Sequence, residues 1–308
     1  MTHTDAPDAP ESIAMFTTEL PLPIIDAVVV RALEEDLGAG DVTTEACVPE
    51  DRHATANGVA KKDLVACGIP VAARVFATLD PSLRFTAKVE EGARVTSGTV
   101  LFTVEGRARS LLTGERVALN LLQRMSGVAT ATARYVAALP PGSKTRITDT
   151  RKTTPGLRLL ERYAVRRGGG HNHRNDLGSA VLIKDNHIVA AGGVRAAIES
   201  ARARAPHTSK IECEVDSLQQ LEEALSAGAD VVLLDNMDTP TVEEAVRVTR
   251  GRALLEASGG ITLERIADLA RAGVDAISVG ALTHSTPASD ISLDFTASSA
   301  RASRPPAR

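Results

Sequence analysis

The side chains best suited to bind an anion are concentrated in residues 149–187, DTRKTTPGLRLLERYAVRRGGGHNHRNDLGSAVLIKDNH. The chain as a whole has a formal net charge of -4. A basic cluster within a slightly acidic protein indicates a local anion site rather than a nucleic-acid surface. Its basic members are Arg151, Lys152, Arg158, Arg162, Arg166, Arg167, His171, His173, Arg174, Lys184 and His187.

Part of this cluster has the spacing of a helix surface. Arg158 and Arg162 are four residues apart, beside apolar residues at helical spacing, so we expect both to face water. We extend the same expectation to Arg166 and Arg167. The remaining basic residues follow a strand or lie among glycines, where this helix argument does not apply.

Apolar strands and amphipathic helices alternate from Lys144 onward. The strands are TRITDT, AVLIK, KIECEV, VVLLD, ALLEAS and AISVG, with a helix predicted after each of the first five. Such repeats predict a parallel sheet covered by helices. A nearly closed barrel is favoured over a doubly wound sheet because no glycine-rich dinucleotide fingerprint follows the first strand.

Barrel enzymes carry their active sites at the carboxyl ends of the strands. Here those ends are basic after the first two strands, acidic after the next two and glycine-rich after the last two. This order suggests a substrate with carboxylates or pyrophosphate, sugar hydroxyls or Mg²⁺, and a terminal phosphate. The polar residues at these ends are Asp149, Thr150, Arg151, Lys152, Lys184, Asp185, Asn186, Glu212, Glu214, Asp216, Asp235, Asn236, Glu256, Ser258, Gly259, Gly260, Ser278, Gly280 and His284.

The residues before the barrel predict a separate α/β sandwich. A helix starting near Pro23 is followed by short strands, among which ATANGVAKKDLVACG is expected to form a hairpin-like pair. The pattern VEEGARVTSGTVL resembles biotinyl and lipoyl carrier domains, but no suitable lysine lies between Ala108 and Gly114. A long helical region follows, with an apolar stripe at 117, 121, 125 and 128 and a candidate break at Gly127.

Composition limits the remaining options. The 308 residues suffice for two domains, aromatic residues make up only 2%, and the three cysteines have no metal-ligand or redox spacing. No secretory signal is recognisable, and no apolar run reaches the roughly 18 residues of a membrane span. We therefore expect a cytoplasmic protein that binds neither nucleic acid nor membrane. The expected boundaries are a disordered lead-in over 1–22, a sandwich over 23–128 completed by 285–300, a barrel over 129–284 and a disordered tail over 301–308.

Taken together, the motifs resemble the quinolinate phosphoribosyltransferase family, the decarboxylating nicotinate-nucleotide pyrophosphorylases. The matching motifs span about residues 24 to 295 in order. They are LEEDLGAGDVTT, GERVALNLLQRMSGVAT, DTRKTTPG, GGGHNHR, LIKDNH, IECEV, LLDN, EASGG and SVGALTH. The resemblance implies an N-terminal α/β sandwich, an incomplete α/β barrel of about six to seven parallel strands, and a homodimer with shared active sites or a larger hexamer.

The resemblance also implies residue roles. Quinolinate would be bound by Arg151, His173, Arg174 and Lys184, with Arg116 reaching in from the neighbouring subunit. Phosphoribosyl pyrophosphate would be bound by Lys152, Glu214, Asp235, Ser258, Gly259, Gly260, Gly280 and His284. Lys152, Lys184, Glu214 and Asp235 would be catalytic, and Glu214 and Asp235 would hold Mg²⁺, directly or indirectly. The loop NDLGS departs from the family pattern, and His171 and His187 have no assigned role.

Three other interpretations remain open at this stage. One is a phosphoribosyltransferase-like protein of the same fold with another substrate, such as the one encoded with molybdate transporters. A second is an aldolase-like barrel that uses Lys184 as a Schiff-base nucleophile. The third is a non-catalytic phosphate-sensing or scaffold barrel.

Overall fold

The computed structural model describes residues 20–296, which divide into two compact units. Residues 128–286 form one unit; the residues before 128 and after 286 form the other. The predicted lead-in and tail lie outside the described residues, except for positions 20–22. There the lead-in prediction is wrong, because Leu20 is buried and a helix begins at Leu22.

The N-terminal unit is built on a four-stranded antiparallel sheet with the order β12-β1-β5-β3, and β2 pairs with β4 in a second small sheet. Phe76, Phe85 and Phe102 form its aromatic core, and the Phe85 and Phe102 rings stack 4.7 Å apart. Its elements are α1 (Leu22–Leu37), α2 (Val42–Cys47), β1 (His53–Ala60), β2 (Leu64–Val65), α3 (Ile69–Leu79), β3 (Arg84–Ala87), β4 (Arg94–Val95), β5 (Val100–Arg107) and β12 (Ile291–Thr296).

The predicted hairpin-like pair at ATANGVAKKDLVACG is wrong. Strand β1 pairs antiparallel with β5 on one side and with β12 on the other, so β2 has no place beside it. Strand β12 comes from the far end of the chain, which explains why local sequence spacing did not reveal it. The prediction that the region after the barrel completes the sandwich sheet agrees with this pairing.

Helix α4 (Ala108–Ala137) is continuous and contains the boundary between the two units. Its predicted apolar stripe, positions 117, 121, 125 and 128, is buried. Gly127 does not break the helix. A Cβ atom at this position would lie 2.3 Å from the Pro287 carbonyl oxygen, so glycine allows the 287–288 backbone to pack against the helix.

We predict that Gly127→Ala will lower the free energy of unfolding by about 1–3 kcal/mol, because overpacking outweighs the better helix propensity of alanine. Urea unfolding measures this difference. Gly178→Ala is the matched control, since Gly178 is exposed and its added Cβ would meet nothing closer than 3.4 Å. Equal stability of the two variants would contradict the argument.

The second unit alternates strands and helices, as the sequence predicts. Most residues of its strands are buried, as expected for a parallel sheet covered by helices. The elements are β6 (Arg146–Thr148), α5 (Arg158–Arg167), β7 (Val181–Ile183), α6 (Asp185–Ala191), α7 (Val194–Arg204), β8 (Ile211–Val215), α8 (Leu218–Ser226), β9 (Val231–Asp235), α9 (Thr239–Thr249), β10 (Leu254–Ser258), α10 (Ile266–Ala272), β11 (Ala276–Ser278) and α11 (Ala281–His284).

The six strands form one parallel sheet with the order β6-β11-β10-β9-β8-β7. Strands β6 and β7 are its two edges, so the barrel is open between them. His171 partly covers the β6 edge: its N–H donates to the Ile147 oxygen and its carbonyl accepts the Asp149 N–H. The predicted incomplete α/β barrel is confirmed.

Within residues 20–296, no helix combines the length and the apolar character that crossing a bilayer requires. This includes the 30-residue α4.

Candidate active site

Ten of the thirteen predicted site residues line one cavity of about 510 Å³ in the barrel unit. We call it the upper cavity. Its wall lies at or just beyond the carboxyl ends of the strands, where barrels carry active sites. The lining residues are Thr150, Arg151, Lys152, His173, Arg174, Leu182, Lys184, Glu214, Leu233, Asp235, Asn236, Glu256, Ser258, Gly259, Gly260 and Ser278.

Asp149 organises the basic wall of this cavity. It follows β6 and is fully buried. Its Oδ1 accepts the His173 N–H at 2.7 Å and a guanidinium N–H of Arg162 at 3.2 Å, while Oδ2 accepts the Asn172 amide at 2.6 Å. Burial raises the pKa of Asp149, and the charge of Arg162 opposes that rise. Asp149 thereby anchors the segment that brings His173 and Arg174 to the cavity.

The expectation that Arg162 faces water is wrong. Its side chain is only 8% exposed, and it also donates to the carbonyl oxygens of His173 at 2.6 Å and Arg174 at 3.1 Å. Burial lowers the pKa of Arg162, and Asp149 counteracts this. Helix periodicity could not predict these contacts, because His173 and Arg174 lie after the helix in a glycine-rich segment that has no periodicity.

The other arginines of α5 are half-buried rather than fully solvated. Arg158 donates to the Thr153 hydroxyl at 2.9 Å and to the Asn175 carbonyl at 3.3 Å. Arg166 donates to the Asn172 side chain, and the Arg167 guanidinium lies 4.8 Å from the centre of the Tyr163 ring. The surface-helix prediction is therefore wrong for Arg162, whereas the other three remain partly exposed on the helix, and Arg158 and Arg166 also contact the segments that flank it.

Two carboxylates line the side of the cavity that the sequence predicts to bind a sugar. Glu214 Oε2 accepts the Lys184 ammonium at 3.1 Å, and Asp235 Oδ2 accepts the Asn236 amide at 2.8 Å. Asp235 is the last residue of β9 and Glu214 the last but one of the neighbouring strand β8, and both line the upper cavity. Asn236 adopts a φ of 54°, in the left-handed region that asparagine tolerates better than most residues.

His173 lies between two further acids deeper in the barrel. Its Nε2 is 3.2 Å from Glu212 Oε2 and 3.4 Å from Glu256 Oε1, and its Nδ1 accepts the Arg174 N–H at 2.7 Å. Burial opposes a charge on His173, but the two acids outweigh it and raise the pKa of the imidazole. Burial raises the pKa of Glu212 as well. This Glu-His-Glu cluster closes the upper cavity from below: His173 and Glu256 line its floor, and Glu212 lies behind them.

Glycines shape the side of the cavity that the sequence predicts to bind a phosphate. Gly259 and Gly260 have φ values of 81° and 55°, which favour glycine, and a Cβ on Gly259 would lie 2.3 Å from the Asn236 side-chain oxygen. A Cβ on Gly280 would lie 3.2 Å from both Lys152 Cδ and His284 Nε2. Gly280 and His284 therefore sit beside Lys152, although neither lines the upper cavity.

Arg116, the remaining predicted site residue, is exposed on α4 in the other unit, and its role stays a prediction. Of the unassigned histidines, His187 accepts the Lys184 N–H at 2.9 Å and so caps α6. His171 covers the β6 edge, and burial lowers its pKa. Both histidines thus have structural contacts.

The NDLGS loop forms a compact turn around Asp176. Its carboxylate accepts the Ser179 hydroxyl at 2.7 Å and the Gly178 N–H at 2.9 Å, and these bonds, led by that from Ser179, lower the pKa of Asp176. The departure from the expected pattern thus leaves the predicted site residues in place around the upper cavity.

Sequence reasoning placed Asn236, Glu256 and Ser278 at strand ends but gave them no role, although all three line the cavity. Glu256 was the most visible signal, as an acid inside the otherwise apolar strand β10. Burying a charged residue requires a partner, so its position alone pointed to one across the barrel.

Two family profiles match the chain and together cover most of it. The profile described as "Quinolinate phosphoribosyl transferase, N-terminal domain" matches residues 41–126, and the one described as "Quinolinate phosphoribosyl transferase, C-terminal domain" matches residues 128–294.

Curated relatives agree with these profiles. The "Probable nicotinate-nucleotide pyrophosphorylase [carboxylating]" of Synechocystis sp. is 45% identical over 285 residues, covering 92% of this chain and 96% of the relative. The "Nicotinate-nucleotide pyrophosphorylase [carboxylating]" of Mycobacterium leprae is 48% identical, covering 86% and 95%. Among solved structures, NadC from Streptococcus pyogenes superposes with a TM-score of 0.86 at 43% identity, covering 91% of this chain and 99% of that one.

Proposed function

The chain belongs to the quinolinate phosphoribosyltransferase family, and we propose that its upper cavity converts quinolinate and phosphoribosyl pyrophosphate to nicotinate mononucleotide, pyrophosphate and CO₂. It is therefore a decarboxylating pentosyltransferase of NAD biosynthesis. The observation that carries this proposal is the sorting of the cavity wall. Cations line one side, two carboxylates the next and paired glycines the third, in the order that an aromatic dianion, a ribose and a phosphate require.

The cationic side would bind quinolinate. Arg151, Arg174 and Lys184 line it together with His173, and charge-assisted hydrogen bonds from such groups suit two adjacent ring carboxylates. The position of His173 and Arg174 depends on Asp149, which fixes their backbone. The dianion would thus meet preorganised donors on an anchored segment.

The opposite side would bind phosphoribosyl pyrophosphate. Glu214 and Asp235 can accept ribose hydroxyls, and Lys152 with His284 can pair with the diphosphate. Ser258, Gly259, Gly260 and Gly280 leave room for the 5-phosphate to approach the backbone, as phosphates do at the last strands of many barrels.

The carboxylates also fit Mg²⁺. Glu214 and Asp235 supply hard oxygen ligands on neighbouring strands, and Mg²⁺ is usually held by one or two carboxylates plus substrate phosphates. Bound with the diphosphate, Mg²⁺ would neutralise part of its negative charge. One oxygen of Glu214 is paired with Lys184, and one oxygen of Asp235 accepts a hydrogen bond from Asn236. The side-chain positions agree with Mg²⁺ bound either directly or through water.

The chemistry needs no side-chain nucleophile. The pyridine nitrogen attacks the anomeric carbon while pyrophosphate leaves, and Lys152 stabilises the departing charge. Glu214 and Asp235 orient the ribose and face the positive charge that develops on it. The ring nitrogen becomes cationic, the 2-carboxylate leaves as CO₂, and a proton takes its place on ring carbon C2. Lys184 would hold a carboxylate; its ammonium is paired with Glu214, unlike the desolvated lysine of a Schiff-base enzyme.

An assay tests this function. Purified protein with quinolinate, phosphoribosyl pyrophosphate and Mg²⁺ should release CO₂ and pyrophosphate and form nicotinate mononucleotide. Nicotinate in place of quinolinate is the control, because it lacks the 2-carboxylate. If the protein makes no nicotinate mononucleotide, the proposed function is wrong.

The proposed partner is a second copy of this chain, in a homodimer with shared sites or a hexamer of such dimers. Helix α6 borders the site yet buries none of its residues, and Val189 on it is 80% exposed. Nearby in sequence, Leu177 of the NDLGS loop is 73% exposed. Such apolar side chains suit a subunit interface, which would let the partner's Arg116 reach quinolinate.

Mixing two inactive variants should restore activity if sites are shared. In a heterodimer of Arg116→Ala and Lys152→Ala subunits, one site has both side chains intact, so roughly a quarter of wild-type activity is expected after random exchange of dimer subunits. Exchange is achieved by mild denaturation and refolding of the mixture, and each variant treated alone is the control. A mixture no more active than its components would argue against a shared site.

We also propose that the protein works in the cytoplasm. Its three cysteines, Cys47, Cys67 and Cys213, are all free thiols, which suits a reducing compartment.

A further inference from the structure

The barrel contains a second cavity of about 750 Å³ at the opposite end of its strands. We call it the lower cavity. Its wall includes the first residue of five strands, Arg146, Val181, Val231, Leu254 and Ala276. Exposed lysines, Lys144 and Lys210, also line it, so it is open to solvent.

Three residues line both cavities: His173, Arg174 and Glu256. They form the partition between the reaction site and the solvent-filled lower end. An arginine does not give up its proton in a protein. Across this partition, only His173 and Glu256 can therefore exchange protons between the two sides.

Polar oxygens in the partition and on both sides of it have few contacts with the protein. Among the described residues, no hydrogen bond reaches Glu212 Oε1, Thr148 Oγ1 or Ser278 Oγ, and Glu256 Oε1 has only the ion pair with His173 Nε2 at 3.4 Å. All four side chains belong to residues that are at most 7% exposed. Thr148 and Glu212 line the lower cavity, and Ser278 lines the upper one. Buried polar atoms of this kind bind ordered water, so they mark a hydrated path along the barrel.

We propose that Glu256, paired with His173, delivers the proton that replaces the lost carboxylate, and that the lower cavity supplies this proton from solvent. This inference rests on the proposed function, because only a decarboxylation consumes such a proton. The inference also explains why the Glu-His-Glu cluster is there. Binding of a dianion alone does not explain it, because two buried acids would repel an anionic ligand.

The step balances as follows. The bond between C2 and the carboxylate breaks, CO₂ leaves, and the electron pair stays on C2 beside the cationic nitrogen. C2 takes the proton from the Glu256 carboxyl group, which lines the upper cavity, and the O–H electron pair stays on the Glu256 oxygen. The Nε2–H of His173, 3.4 Å from Glu256 Oε1, stabilises the carboxylate that forms, and water in the lower cavity returns a proton to Glu256. The net change is one proton taken from solvent for each CO₂ released.

The test compares Glu256→Gln with wild type. We expect kcat to fall about 100-fold or more, the lower end of general-acid effects, because the glutamine cannot pass a proton. Quinolinate affinity should change little, and the solvent deuterium isotope effect on kcat should rise because protonation becomes slower. Glu256→Ala should be partly rescued by formate, which can enter through the lower cavity. Glu223→Gln, an exposed acid on α8, is the control.

Three outcomes separate the possibilities. An active wild type with an unaffected Glu256→Gln variant would overturn the inference and leave the proposed function standing. A variant that loses only quinolinate affinity, with a wild-type isotope effect, would make Glu256 a positioning residue and also overturn it. An inactive wild type would contradict both the proposed function and this inference. If Glu256→Gln does not fold, Thr148→Val must show the same raised isotope effect. A wild-type isotope effect in Thr148→Val would overturn the inference.

Discussion

Replacing Arg162 by methionine is expected to lower the free energy of unfolding by about 3–5 kcal/mol, the usual cost of removing one partner from a buried ion pair. The partner left behind, Asp149, is fully buried and would keep an unpaired charge. The carbonyl oxygens of His173 and Arg174 would lose their donors in the same change. Quinolinate affinity should fall as well, because these two residues would no longer be held in place.

Urea unfolding and quinolinate titration measure the two effects. Arg195→Met is the matched control: Arg195 is 56% exposed and pairs with the exposed Glu199 at 3.6 Å, so its removal should cost less than about 0.5 kcal/mol. The double variant Asp149→Leu/Arg162→Met should be more stable than Arg162→Met, because no uncompensated charge remains. A double variant that is less stable than the single one would show that packing, rather than charge, dominates at Arg162.

The barrel was predictable because its signals are local. Each strand is a short apolar run that ends in polar residues, and each helix has its own periodicity, so VVLLD with Asp235 could be placed without knowing the rest. The β1 pairing was not predictable in this way, because its partner β12 lies at the far end of the chain. Non-local pairing leaves no mark on the spacing of nearby residues.

The same difference between local and non-local signals decides which site residues were predictable. Residues that follow strands, such as Lys184 and Asp235, lie in the upper cavity where position alone put them. Arg162 was misplaced because helix periodicity describes only which residues share a face, and not what packs against that face. The polar partners that decide its burial, Asp149 and the carbonyl groups of the 173–174 segment, come together only in the folded chain.

Lys152→Ala is expected to lower kcat about 10²–10³-fold, the range observed when one group that stabilises developing charge is removed. The backbone at this residue is well anchored, since its carbonyl accepts the Thr283 hydroxyl at 2.7 Å and its N–H donates to the Thr150 hydroxyl at 3.1 Å. Substitution should therefore remove the ammonium group without disturbing the fold. Quinolinate affinity should stay close to the wild-type value, because the cations proposed to bind quinolinate are positioned by other contacts.

Steady-state kinetics with both substrates, together with quinolinate titration, measure this effect. Lys62→Ala, an exposed lysine of the N-terminal unit, is the control and should keep wild-type kcat. Gly280→Ala separates charge from position: its new Cβ would press on Lys152 Cδ and His284 Nε2, both at 3.2 Å, and should displace the ammonium group while keeping it. Both site variants should then have a lower kcat than wild type and nearly the same free energy of unfolding. A Lys152→Ala enzyme with normal kcat and weakened quinolinate binding would instead assign this lysine to the aromatic substrate.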